Sequence, residues 1–132
     1  MDASITLPWC FADEATPYTD HLLSRVTSGE QVAVPSHWPV EVLNGLLGAK
    51  RRGRVTDELI RRFIDDLGGF RIVIDRRYGS FHLHEVRALA ERHSLTSYDA
   101  AYLELALRSG LPLATFDAQL ERAAKAEGVS RP

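Results

Sequence analysis

Apolar residues recur along this chain at two different periods. In S-Y-D-A-A-Y-L-E-L-A, residues 97 to 106, Tyr98, Ala101, Tyr102 and Leu105 fall at i, i+3, i+4 and i+7, one face of a helix that Gly110 would end. Ala100, Leu103, Ala106 and Leu107 make most of the remaining circumference apolar, so this helix is expected to be buried. Trp38, Val42, Leu46 and Ala49 share a helical face after Pro35 to Pro39, and Leu59, Ile60, Phe63, Ile64 and Leu67 form a stripe behind a Thr56 cap with Asp57 and Glu58 in the first turn. Leu83, Val86, Leu89 and Ala90 predict a helix from about Ser80 to His93. Two more helices are bounded by punctuation: Thr16-Pro17 opens one that Gly29 closes, and one from Ala118 to Glu127 stops at Gly128. Between them Q-V-A-V at 31–34, R-I-V-I at 71–74 and L-P-L-A-T-F at 111–116 read as short strands. Strands alternating with helices imply an α/β fold with a parallel sheet covered on both faces.

At 132 residues the chain is expected to form a single domain, 1–132, with a substantial core. Apolar residues make up 45% and charged residues 26%, and no apolar run approaches a membrane span, so the expectation is a protein with no membrane association. M-D-A-S-I-T lacks the basic start of a secretory signal, and the lone Cys10 precludes an internal disulfide; both fit a cytoplasmic protein. A net charge of −2 argues against coating nucleic acid through bulk positive charge. Local basic surface remains: Lys50, Arg51, Arg52 and Arg54 form the densest cluster. A helix C-terminus with Gly53 at C′ accounts for that cluster, and the same residues are also candidates to touch phosphates.

The acids are more informative than the bases. In open α/β sheets ligands bind beyond the carboxyl ends of strands, where helices begin. Asp117 directly follows the expected strand at 111–116, Glu41 lies early in the helix after the 31–34 strand, Asp99 lies behind Thr96-Ser97 in the first turn of its helix, and Asp2 stands at the start of the chain. Glu41, Asp99 and Asp117 sit between largely apolar neighbours, in V-E-V, Y-D-A and F-D-A. Each taken singly reads as a dipole-stabilised cap. Four brought into one cleft would repel unless a cation bound between them, and a hard divalent ion held by carboxylates and water is the economical partner.

D-A-S at 2–4, P-V-E-V-L-N-G-L at 39–46, S-Y-D-A-A-Y-L-E-L-A at 97–106 and L-A-T-F-D-A-Q-L at 113–120 resemble the signatures of PIN-domain ribonucleases, and more narrowly those of VapC toxins of bacterial toxin–antitoxin pairs. The resemblance spans essentially the whole chain. It implies a three-layer α/β/α domain with a central, mainly parallel sheet of four to five short strands. It further implies a Mg²⁺-dependent endoribonuclease, with Mn²⁺ as the alternative ion, whose acidic site is Asp2, Glu41, Asp99 and Asp117. By the same analogy Ser4, Asn44 and Thr115 order that site. Asp2, Asp99 and Asp117 would hold metal while Glu41 positions or deprotonates the attacking water. Arg51, Arg52, Arg54 and Tyr98 are the candidate RNA contacts. The implied partners are RNA, a cognate antitoxin and a second copy of the chain, as homodimer or toxin–antitoxin hetero-oligomer. Any exposed part of the 59–67 stripe would serve as antitoxin groove or dimer face.

One departure from the family pattern stands out. Family members carry several apolar residues ahead of the first Asp, forming the central strand, whereas here only Met1 precedes Asp2. Either the start was placed too late or the domain lacks most of that strand, in which case Asp2 hangs on a fraying terminus. This leaves a second reading, a catalytically weak or inactive PIN-like module that works by binding an antitoxin or RNA. A phosphorylatable receiver-like domain would need an acid pair after the first strand and a lysine after the last, and neither is present. His82 and His84 diverge on a helix with no third ligand nearby and read as packed or exposed histidines; Cys10 and Trp9 read as packing under the loop after Asp2.

Overall fold

The computed structural model describes residues 1–77 and 79–132. Helices dominate: α1 (Ala3–Thr6), a 3₁₀ turn (Leu7–Trp9), α2 (Pro17–Thr27), α3 (Trp38–Arg51), α4 (Asp57–Gly68), α5 (Ser80–His93), α6 (Ser97–Ser109) and α7 (Ala118–Ala126). Strands β1 (Val32–Pro35) and β2 (Ile72–Asp75) pair in parallel, Val34 opposite Ile74. A parallel pair needs a crossover connection, which α3 and α4 supply.

Side-chain caps start most of the helices. Thr16 Oγ1 accepts from Thr19 N–H while Thr19 Oγ1 accepts from Thr16 N–H, a reciprocal box in front of Pro17. Thr56 and Thr96 cap α4 and α6, and Asp117 caps α7 by accepting from the backbone N–H of Gln119 and Leu120. Gly110 ends α6 in the left-handed region, φ 63°, where a glycine costs least. Gly45 has a different purpose: a Cβ there would meet Leu7 Cδ1 at 2.5 Å, so its absence lets the 3₁₀ turn lie close on α3.

Core residues come from every layer. Val34 of β1, Leu46 and Ala49 of α3, Ala100 and Leu103 of α6 and Leu120 of α7 are fully buried together. Helix α6 packs against α5, α7 and β1, which explains its nearly all-round apolar character. It also buries Glu104, whose charge is met by Arg108 Nε at 2.7 Å; Arg108 in turn bonds Asp75 at the end of β2.

The class is α/β as expected, but the four to five strands reduce to two among the described residues. The 111–116 segment runs extended without joining a ladder. Its backbone bonds go instead to neighbouring ends: Leu111 N–H to Ala106 O, Leu113 N–H to Ser130 O, and Ala114 O from Asp2 N–H. Between it and β1 lies a cavity of about 110 Å³, lined among others by Met1, Val32, Ala33, Leu111 and Leu113. Two backbones separated by a cavity cannot exchange hydrogen bonds, and a strand is defined by that exchange. Sequence pattern reports which residues suit a strand; it does not report whether a neighbour lies alongside.

Because Leu103 is fully enclosed at the α6 centre, Leu103→Ala should lower unfolding free energy by about 2–5 kcal/mol, read from urea denaturation. A loss under ~1 kcal/mol would show that α6 is not the core of the fold.

Candidate active site

Asp2 anchors the site. Although second in the chain, it is only 6% exposed. Its Oδ1 accepts from Ser4 Oγ at 2.6 Å and its Oδ2 from Thr115 Oγ1 at 2.5 Å. Its backbone N–H donates to Ala114 O at 3.1 Å, and its carbonyl accepts from Thr6 Oγ1 at 3.2 Å. The expectation of a fraying terminus is therefore corrected: Asp2 is tied on four sides. Ser4 and Thr115 both donate to the Asp2 carboxylate, and each has a second task. Ser4 Oγ accepts from Phe116 N–H at 2.8 Å and Thr115 Oγ1 from Asp117 N–H at 2.9 Å, so the two hydroxyls join Asp2 to the backbone that presents Asp117.

Glu41 is half-buried in the first turn of α3, behind His37, and accepts from Tyr102 Oη at 2.5 Å. Burial pushes its carboxyl above the ordinary carboxylate range; the Tyr102 hydrogen bond opposes this, while the charges of Asp2 and Asp99 add to it. Burial likewise raises Asp2, against the Ser4 and Thr115 hydrogen bonds. The Tyr102 hydroxyl stays protonated for the same reasons: it is desolvated, bonded to Glu41, and within the field of Asp2 and Asp99. Asp2, Glu41 and Asp99 thus share one electrostatic neighbourhood around Tyr102, although they come from the N-terminus, α3 and α6.

Asp99 is held by its own helix start, accepting from Thr96 Oγ1 at 2.6 Å. Asp117 spends Oδ1 on two α7 backbone N–H groups, at 2.8 and 2.7 Å, while its Oδ2 takes no hydrogen bond among the described residues. Asn44 is exposed one turn beyond Glu41. Among the described residues no three His, Cys, Asp or Glu side chains converge as a ready metal cluster. The donor set is nonetheless all carboxylate oxygen, the chemistry of Mg²⁺ or Mn²⁺, and ionised carboxylates keep lone pairs beyond those now used.

The basic candidates sit elsewhere. Arg51 and Arg52 are exposed at the C-terminal end of α3, about 15 Å along the helix from Glu41. Lys50 pairs with Asp57, and Arg54 with Glu14 and Asp13 at 2.6 and 2.8 Å, stacked over Phe11. Two site residues were not legible as such. Tyr102 fitted the apolar stripe of α6, and its hydroxyl gave no signal at the sequence level. His37 lies four residues before Glu41, an i,i+4 spacing that could have flagged it.

With this geometry in view, the comparisons are consistent. A PIN-domain family model matches residues 1–126. The chain is 35% identical over 120 residues to Ribonuclease VapC3 of Pyrobaculum aerophilum, covering 91% of this chain and 89% of that protein. It superposes on the crystal structure of PAE2754 from Pyrobaculum aerophilum with a TM-score of 0.72 at 28% identity, covering 98% of this chain and 80% of the other. The chain belongs to the PIN-domain family.

The raised Glu41 carboxyl fixes a sign. A group whose folded pKa lies above its unfolded value contributes most below the unfolded pKa, and that contribution is lost as pH rises through the folded pKa. Metal-free Glu41→Gln should therefore melt higher than wild type at pH 7.5, with the gap closing toward pH 4. The Met1 ammonium, pushed down to about 6 by burial, acts with the opposite sign but is common to both proteins. A variant that melts lower than wild type at pH 7.5 would contradict the crowding of acids.

Proposed function

We propose that this protein is a metal-dependent endoribonuclease, the toxin component of a VapBC-type toxin–antitoxin pair, acting in the cytoplasm. The observation that carries the reading is the tie from Asp2 through Thr115 to Asp117, set beside Glu41 and Asp99 around Tyr102. Membership of the PIN family and the likeness to Ribonuclease VapC3 support it.

Asp2, Asp99 and Asp117 would hold Mg²⁺ or Mn²⁺, directly or through water. Bound there, such an ion lowers the pKa of water and offsets negative charge on phosphate. The chain's own groups do the rest. The Ser4 and Thr115 hydroxyls hold Asp2 in one rotamer. Glu41, with a raised pKa and one oxygen on Tyr102, would take a proton from the attacking water. Tyr102 keeps its proton and so fixes the Glu41 rotamer without competing as a base.

The partner surface lies on α3, α4 and β2. Ile60 and Phe63 point inward, whereas Ile64 is 46% exposed and lines a groove of about 440 Å³ with Leu43, Leu46, Leu67, Phe70 and Ile74. An amphipathic antitoxin helix suits such a groove, and the same reading makes the chain a homodimer or part of a toxin–antitoxin hetero-oligomer.

Cleavage of single-stranded RNA, with and without Mg²⁺, should fall at least 100-fold for Asp99→Asn and on chelation. Equal rates for wild type and variant in both conditions would remove the metal mechanism and leave a binding module. Ile64→Glu should keep the wild-type melting point yet weaken capture of the product of the adjacent gene at least tenfold, by calorimetry; unchanged affinity would move the antitoxin elsewhere.

A further inference from the structure

Next to the acidic site is a further cavity of about 200 Å³, between the end of β1, the start of α5 and the start of α6. It is lined by His37, Arg77, His82, Leu83, Val86 and Tyr98, among others. Two of these flank the catalytic candidates in sequence: His37 precedes Glu41 by one turn, and Tyr98 precedes Asp99. Any polymer whose phosphate lies against Glu41 and Asp99 therefore has a neighbouring unit at this opening.

Its chemistry is unlike that of the other two cavities, which are lined mainly by aliphatic residues. Here Tyr98 is 63% exposed, and His37 packs edge-on between it and Tyr102, with ring centroids 5.3 and 5.1 Å away. Tyr98 is thus a braced ring with a free face. His37 Nε2 and His82 Nδ1 are buried with no hydrogen-bond partner. Their nearest carboxylate oxygens, on Glu41 and Glu104, lie 3.9 and 3.5 Å away without hydrogen-bond geometry. Neither nitrogen is open to solvent, so the surface this pocket offers a ligand is chiefly the exposed Tyr98 ring. The acid on this wall, Asp75, is already engaged by Arg108 and by Arg77 N–H, so it does not bar an electron-rich ring. The volume falls below the roughly 300–1,000 Å³ of sites for drug-sized ligands, which fits a single planar ring system rather than a peptide helix.

We propose that this pocket binds one nucleobase of single-stranded RNA, stacked on Tyr98, beside the phosphate held at the acidic site. The inference rests on the ribonuclease reading for the identity of the polymer. Unpaired bases stack on aromatic side chains and expose their edges, whereas duplex RNA offers neither. Through Tyr98 the pocket accordingly selects unpaired over paired RNA, a single-stranded loop or end.

The test is binding of a mixed-sequence single-stranded RNA carrying 2-aminopurine, followed by anisotropy and by base fluorescence in Ca²⁺, beside a cleavage assay in Mg²⁺. Tyr98 is on the surface, so its substitution leaves the core intact. Wild type should quench the 2-aminopurine. Tyr98→Ala should bind about tenfold more weakly without quenching and raise KM more than it lowers kcat, while Tyr98→Phe should restore affinity. Equal binding by wild type and Tyr98→Ala overturns the base pocket even if RNA is cut normally. Binding and quenching without any cleavage uphold the pocket while removing the nuclease reading. Weaker binding of Tyr98→Ala accompanied by a change in oligomeric state in gel filtration overturns it in favour of a protein interface.

Discussion

The arrangement depends on one desolvated carboxylate. Asp2 is almost out of water, and an ionised acid there is sustained by donors on both oxygens. Ser4 supplies one from the following turn and Thr115 the other from more than a hundred residues along the chain. Each hydroxyl also accepts a backbone N–H from 116 or 117, so the atoms that stabilise Asp2 position the start of α7. The N-terminus is thereby fastened where a two-stranded sheet alone would leave it loose.

Around that anchor the fold gathers charge of one sign. The charges of Asp2 and Asp99 raise the cost of ionising Glu41, and among the described residues no arginine or lysine pairs with any of the three. Cations are available but spent elsewhere: Arg54 on Asp13 and Glu14, Lys50 on Asp57, Arg108 on Glu104 and Asp75. A structure that merely satisfied its acids would have placed one of these beside Glu41. Tyr102 is used instead, a neutral donor that orders the carboxylate without neutralising it, which suits a site meant to accept a cation and a phosphate.

The sheet shows where local pattern stops being informative. The two residue runs at 31–34 and 71–74 appear as strands shifted by one residue, because each lies against the other. The equally strand-like run at 111–116 stays out of the ladder, because a cavity lies between it and β1. β-structure is a relation between segments, whereas a helix closes its own hydrogen bonds; hence every helix longer than two turns was legible, and of the sheet the parallel pair but not the number of strands.

The same division holds for the site. Amino-acid sequence alone determined the helices, through apolar spacing and caps such as Thr16, Thr56, Thr96 and Asp117, and it brought forward Glu41, Asp99 and Asp117 as acids between apolar neighbours at helix starts, with Asp2 joining them through the family resemblance. Tertiary structure alone decided that Tyr102 serves Glu41, that Thr115 serves Asp2, and that His37, His82 and Tyr98 wall one pocket. Those relations are set by side-chain direction across packed elements, 61 residues apart for Tyr102 and Glu41 and 113 for Thr115 and Asp2, and no spacing rule along one chain reaches that far.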